Sequence, residues 1–182
     1  IKKEDVVFVS YASSNHFSEA RASLVSLRNL TTNRIIFYDL GLDPDELREL
    51  LSVCNLEIRN FNFDRHPAFV RRLSGGYHFK SLIIADVFES LEAFWMIDSS
   101  VHFFGDIRPF YAMVASGVAA PLTIWHASGH SVYAATHPAM YSFLPIDEGH
   151  AKRSDMFESG TMFIQRSDFT KEAVKWCNLA IL

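Results

Sequence analysis

The order of strand-like and helix-like segments up to Phe61 constrains this chain more than any other feature. Val6-Val7-Phe8-Val9 is a short run rich in β-branched residues and reads as a buried strand. A polar stretch, Ser10 to His16, follows. Phe17, Ala20, Leu24, Leu27 and Leu30 then recur at the spacing of one helix face. Arg34 to Leu40 is a second strand. Asp43 as N-cap, Pro44 at the first helical position and Glu46 three residues after the cap open a second helix. Leu56 to Phe61 is a third strand. Strand, helix, strand, helix, strand in that order predicts parallel strands joined by right-handed crossovers, an α/β sheet.

Further along, His66 to Gly76 reads as a short helix and a turn. Tyr77 to Ser90 reads as a helix whose Phe79, Ile83, Val87 and Leu91 share a face, and Ala93 to Ile97 as a fourth strand. Beyond Gly105 the periodicity loosens. Pro121 to His126 and Ser131 to Ala135 are expected as strands and His137 to Leu144 as a short helix. Gly160 to Gln165 is expected as a strand, followed by a helix capped by Ser167 or Asp168. There is no internal repeat, low-complexity tract or linker, so one domain over residues 1–182 is expected. With 49% apolar residues and 16 Phe, that length supports one sizeable core. The chain starts at Ile1 and stops inside a helical run at Leu182, which reads as a fragment truncated at both ends.

Composition narrows the function classes. A net charge of −4 without a Lys/Arg stripe argues against nucleic acid. No run of 18 apolar residues exists, so membrane attachment would come only through an anchor outside this segment. Cys54 and Cys177 lie in no CxxC or Cys/His cluster, which disfavours a disulfide scaffold or a zinc knuckle. Both read as core thiols, and whether they pair stays open. GxGxxG, the P-loop pattern, HExxH and GxSxG are all missing. His126 and His130 stand four apart, a spacing that gathers metal ligands only on a helix, and their surroundings read as strands.

Two strand ends carry candidate chemistry. In open α/β sheets ligands bind beyond the carboxyl ends of the strands. Ser10 to His16 offers small hydroxyls and an amide that could bond a base or ribose; its structural reading is a solvated turn with Ser14 or Asn15 capping the first helix. The strand Phe94-Trp95-Met96-Ile97 ends on Asp98-Ser99-Ser100. On an extended segment Asp98 and Ser100 would face the same side and could hold a divalent cation through oxygen. The structural reading of Asp98 is a cap on the next turn. Lys80, early in the preceding helix, could reach a phosphate; its structural reading is an exposed lysine on a solvated face.

Three pieces in order carry a resemblance: the helix bearing Lys80, the strand ending "FWMIDSSVHFFGDI", and "DMFESGTMFIQRS" from Asp155 to Ser167. The series resembles the nucleotide-diphospho-sugar transferases of the GT-A fold, in particular the glycogenin-like family 8 glycosyltransferases. "YDLGLDPDELREL" with "RNFNFDRHP" looks more specifically like an uncharacterised family of animal GT-A-like proteins best represented in nematodes. The resemblance implies a single Rossmann-like GT-A domain with a mostly parallel sheet flanked by helices. It implies transfer of a sugar from a UDP-sugar donor to a glycan or protein acceptor, assisted by Mn²⁺ or Mg²⁺, with retention of configuration, in the Golgi or endoplasmic reticulum lumen. The sequon Asn29-Leu30-Thr31 agrees with a lumenal chain.

Carried over position by position, Ser10, Tyr11, Ala12 and Ser13 would line the base and ribose pocket. Lys80 would lie near the donor phosphates, with Ser99 beside the donor. Asp98 would be the first carboxylate of the metal motif, and Ser100 would stand where its second Asp belongs. Ser159 and Gly160 match the Ser-Gly of a late strand, and Asp155 and Glu158 would lie beside the donor sugar or the acceptor. The departures point elsewhere. Ser100 removes a negative charge from the metal site, Glu158 replaces an amide by an acceptor-only group, and the family's C-terminal histidine ligand has no counterpart. A degenerate domain that binds a sugar nucleotide or a protein partner without catalysis is therefore the alternative reading.

Overall fold

The computed structural model describes residues 6–73, 76–115, 122–124, 127–143 and 146–179. Strand β1 (Val7–Ala12) runs three residues past the apolar run that predicts it. Its backbone keeps pairing with β2 (Ile35–Asp39), from Phe8↔Ile35 to Ala12↔Asp39, which draws Ser10 and Tyr11 into the strand. A 3-10 turn, Ser14–His16, precedes helix α1 (Phe17–Arg28), which buries Ala20, Leu24 and Leu27. Neither Ser14 nor Asn15 caps α1. The Ser14 hydroxyl donates to Glu46 Oε2 at 2.6 Å and accepts the Asp43 N–H at 3.1 Å. It thereby braces α2 (Pro44–Leu50), where the Asp43 N–H also donates to Glu46 Oε2 at 2.8 Å.

Next come β3 (Leu56–Asn60), 3-10 turns at Phe63–Arg65 and Ala68–Arg71, α3 (Phe79–Ser90), β4 (Ala93–Ile97) and α4 (Arg108–Ala115). Then follow β5 (Leu122–Ile124), β6 (Ala127–Ser131), α5 (Val132–Ala135), a 3-10 turn at Pro138–Ser142 and α6 (Glu148–Arg153). The last elements are β7 (Asp155–Phe157), β8 (Thr161–Gln165) and α7 (Asp168–Leu179). Of the two candidate caps for α7, Ser167 serves: its Oγ accepts the Thr170 N–H at 3.1 Å while Thr170 Oγ1 accepts the Ser167 N–H at 2.8 Å.

The sheet has six strands in the order β3-β2-β1-β4-β8-β5. β3, β2, β1 and β4 are mutually parallel, as the alternation predicts. β8 pairs with β4 antiparallel, from Ala93↔Gln165 to Ile97↔Thr161. One face of the sheet presents Phe8, Ala12, Ile35, Phe37, Trp95 and Ile97 to the core that α1 covers. Phe8 stacks on Trp95 with ring centroids 5.5 Å apart. Burying one such aromatic side chain contributes roughly 1.5–3 kcal/mol. The other face carries Val9, Tyr11, Ile36, Tyr38 and Met96, and α3 lies on it: the Tyr38 hydroxyl bonds Asp86, and the Tyr11 ring meets Phe79 edge-on at 5.1 Å.

The chain forms two compact units, one running up to Thr123 and resuming at Gly160, the other spanning Ile124–Ser159. Within the second, β6 and β7 pair antiparallel, with Ala127 opposite Phe157 and Ser131 opposite Asp155. Ser131 to Ala135, expected as a strand, turns helical after its first residue. The Ser131 hydroxyl accepts the Ala134 N–H at 3.2 Å, a side-chain cap that competes with continued pairing. Tyr133 stacks with Tyr141, and Lys152 Nζ lies 4.8 Å from the Tyr133 ring centre. Cys54 and Cys177, read as core thiols, are free and exposed: Cys54 lies in the surface turn between α2 and β3, Cys177 on an open face of α7. His126 lies outside the described residues.

Candidate functional site

The strand order reverses at β1. The chain moves from β1 outward to β2 and β3, then returns to lay β4 on the other side of β1. Crossovers on opposite sides leave a crevice beyond the carboxyl ends of β1 and β4. Two polar side chains reach it from the same face. Val9 pairs with Met96, so two residues further on Tyr11 and Asp98 come side by side. The Tyr11 hydroxyl donates to Asp98 Oδ1. Lys80, in the first turn of α3, brings Nζ to 2.7 Å from Oδ2.

These groups are held from several sides. The Lys80 and Asp98 side chains are only 16% and 22% exposed, and Tyr11 is buried. The ammonium lies 5.2 Å from the centre of the Tyr77 ring and 5.8 Å from that of Tyr11, within cation–π range. Tyr77 has a left-handed backbone, φ +49°, and its carbonyl accepts the Lys80 N–H at 3.0 Å. Burial first, and then the Asp98 carboxylate, push the Tyr11 phenol well above its ordinary range, so it is a neutral donor. The Asp98 N–H donates to the Gly160 carbonyl at 2.8 Å, tying the end of β4 to the start of β8.

After Asp98 the chain turns. The Val101 N–H donates to the Asp98 carbonyl at 3.0 Å, and Ser99 and Ser100 lie in that turn, not on an extended segment. The alternation that would align Asp98 with Ser100 therefore does not apply, and Ser100 is exposed. The structure brings together Tyr11, Lys80, Asp98 and Gly160; a Cβ on Gly160 would stand 3.9 Å from Asp98 Oδ2. Ser10 and Ala12 are buried and sit on the opposite face of β1 from Tyr11, while the buried Ser13 donates to Asn15 Oδ1 at 2.5 Å. Asp155, Glu158 and Ser159 belong to the second unit, where each is exposed. Lys80, whose structural reading was an exposed lysine, is instead enclosed by its ion pair and two rings.

A feature that the sequence reasoning missed lies at the carboxyl ends of β2 and β3. A cavity of about 310 Å³ is lined by Asp39, Gly41, Asn60, Phe61, Phe63 and Arg71 among others. Asp39 Oδ1 accepts the Gly41 and Leu42 N–H groups at 2.8 and 2.7 Å, and Gly41 turns the chain at φ +114°. The Asp39-Leu40-Gly41 sequence after a strand was the available signal, since that turn needs both a side-chain acceptor and a residue free at positive φ. The role of Tyr11 as partner of Asp98 was also missed, and only the β1–β4 register reveals it.

The donor set fits a divalent cation poorly. Asp98 offers one carboxylate, already accepting from Tyr11 and Lys80, and Ser100 is neutral. Among the described residues no group of three His, Cys, Asp or Glu side chains is placed to hold a metal ion.

Among known proteins, a family model described as protein of unknown function (DUF1647) matches residues 1–85. A sequence search of curated proteins finds no match. Solved structures do resemble the fold. A galactosyltransferase, LgtC, in complex with donor and acceptor sugar analogues superposes with a TM-score of 0.59 at 15% identity, over 97% of this chain and 66% of that one. Mouse xyloside xylosyltransferase 1, apo form, gives 0.56 at 17% identity, over 96% and 73%. Core-mannan synthase A from Aspergillus fumigatus, in a Mn/GDP form, gives 0.60 at 10% identity, over 97% and 64%.

The fold is that of the GT-A glycosyltransferases. At these identities the likeness concerns the fold. The chain spans just under two thirds of the length of the galactosyltransferase and of the mannan synthase.

Proposed function

We propose that this chain holds a nucleotide-diphospho-sugar site and serves glycosyl transfer, moving a sugar from a UDP-sugar to a glycan or protein acceptor with retention of configuration. The observation that carries the reading is the meeting of Tyr11, Lys80 and Asp98 at the reversal point of a GT-A sheet. Negative charge grows on the diphosphate as the glycosidic bond breaks, and a fixed cation in a sheltered crevice stabilises it. Lys80 stands there as that cation. It lies in the first turn of a helix that has no acidic residue in that turn and no side-chain cap, so the helix dipole adds to the field on an anion.

The cavity beside Asp39 and Phe61 supports the same reading. It lies two to three strand positions from β4, roughly 10–14 Å at the usual strand spacing, a reach that a nucleoside diphosphate spans. Phe61 and Phe63 offer ring faces, and Asn60 an amide, to a nucleoside there. A second reading, a domain that binds a sugar nucleotide without transferring the sugar, is favoured by one observation: both Asp98 oxygens are already engaged by its own neighbours. A lumenal location goes with either reading. Asn29 is exposed at the C-cap of α1, so an endoglycosidase-sensitive mass shift that vanishes on Asn29→Gln tests it.

The test is ligand-detected NMR of the purified protein with UDP-glucose, UDP-galactose, UDP-xylose and GDP-mannose, with ATP and NAD as controls. Saturation transfer to the nucleotide-sugars alone supports the reading. Equal or stronger transfer to ATP or NAD overturns it. Released UDP or GDP in the presence of simple sugar acceptors then separates transfer from binding.

A further inference from the structure

Resting on that reading of the site, we infer that Lys80 takes the place of a divalent cation, so that this chain holds the donor diphosphate without a metal. Asp98 gives its two carboxylate oxygens to the Tyr11 hydroxyl and the Lys80 ammonium, and among the described residues no second carboxylate joins it in a group able to hold a metal ion. A Mg²⁺ ion on Oδ2 would coordinate at about 2.0–2.1 Å. The ammonium already stands 2.7 Å from that oxygen, so two cations would share one carboxylate at contact distance. Tyr11 and Ser100 are both neutral, so neither adds negative charge beside Asp98 to attract a divalent ion.

Lys80 is arranged for an anion instead. It gives one N–H to Asp98, and among the described residues its other two N–H groups have no hydrogen-bond acceptor. The Tyr77 and Tyr11 rings fix the ammonium by their faces, which hold a cation without using its donors. Tyr77 reaches that position from a left-handed backbone, a conformation that costs an L-residue on the order of 1 kcal/mol or more. Asp98 in this arrangement is an anchor that aims the ammonium, and its negative charge opposes the diphosphate.

That last point gives a test by sign. A metal ligand replaced by its amide loses the nucleotide; an anchor whose charge repels the nucleotide does not. UDP and GDP are titrated calorimetrically into the purified protein in EDTA and again in Mn²⁺. The proteins compared are the wild type, Lys80→Met, Lys80→Arg and Asp98→Asn, each checked for native circular dichroism. The inference expects binding in EDTA that Mn²⁺ changes less than twofold. It expects at least a tenfold loss in Lys80→Met, substantial retention in Lys80→Arg, and binding in Asp98→Asn that is unchanged or tighter by roughly threefold. Binding that needs Mn²⁺ and disappears in Asp98→Asn overturns the inference and leaves the nucleotide-sugar reading standing. Binding in EDTA that Lys80→Met leaves intact overturns it too. No binding of either nucleotide, with or without Mn²⁺, removes the reading beneath it as well.

Discussion

Tyr11 and Asp98, which are 87 residues apart in the chain, meet hydroxyl to carboxylate where β1 and β4 end. The contact exists because two parallel neighbours in register deliver same-face residues to one edge of the sheet. It joins an otherwise buried phenol to a half-buried charge, and Lys80 completes the set from α3.

Tyr11→Phe removes a hydrogen bond to a charged acceptor in a largely buried setting. A loss of about 1.5–3 kcal/mol is expected, read as a lower urea midpoint with an unchanged slope. A loss below the noise of the measurement would mean that the hydroxyl exchanges this bond for water at no cost.

The same phenol sets a pH dependence. Burial and Asp98 raise the Tyr11 value, and burial and Asp86 raise that of Tyr38. Raised groups leave stability intact below the unfolded phenol value, about 10, and lose it as pH climbs above that toward the folded values. The contribution of these two phenols is therefore expected to be constant up to about pH 10 and to fall away above it. In a 295 nm titration, the late-ionising fraction should shrink in both Tyr11→Phe and Tyr38→Phe. Complete ionisation of the folded wild type near pH 10 would contradict the buried phenols.

Two glycines near the candidate site separate backbone from contact. Gly41 has φ +114° and open space around its Cα, so Gly41→Ala costs roughly 1–3 kcal/mol through backbone strain alone. Gly160 has an ordinary φ, and an added Cβ would meet Asp98 and Val101 at van der Waals distance. Gly160→Ala should therefore fold with stability within about 0.5 kcal/mol of the wild type. Equal melting shifts for the two substitutions would sink this distinction.

β4 and β8 are joined by a side-chain bond as well as by the ladder: Trp95 Nε1 donates to Thr161 Oγ1 at 2.8 Å. Thr161→Val keeps the shape and drops the acceptor, for an expected loss of about 1 kcal/mol. Thr161→Ser should recover most of it. Failure of Ser to rescue would place the effect in the methyl group instead of the hydroxyl.

Ser14 links the loop after β1 to the start of α2. Ser14→Ala removes its bonds to Glu46 and to the Asp43 N–H, and a loss of about 0.5–2 kcal/mol is expected, as for a helix cap. If thermal melts are superimposable, the Asp43–Glu46 bond alone suffices to start α2.

Local sequence determined the elements. The β-branched and aromatic runs at Val6–Val9, Arg34–Leu40 and Ala93–Ile97 mark three of the parallel strands because β1, β2 and β4 are buried on both faces and need no alternation, whereas Leu56–Phe61 marks the half-buried edge strand β3 by alternating Leu56 and Ile58 with Glu57 and Arg59. The Asp43-Pro44-Glu46 start of α2 was legible because a helix N-terminus is satisfied by residues adjacent in sequence. So was the importance of Asp98, since a charge at the tip of a buried strand stands out against an apolar run. What that charge touches was not legible. The reach of β1 through Ser10 and Tyr11, the turn that removes Ser99 and Ser100 from the strand, and the helical end of Ser131–Ala135 each depend on partners or caps that compete with local pattern. The pairing of Asp98 with Tyr11 and Lys80 is set by strand register and by how α3 lies on the sheet. Register and packing are long-range quantities, and no single stretch of this chain encodes them on its own.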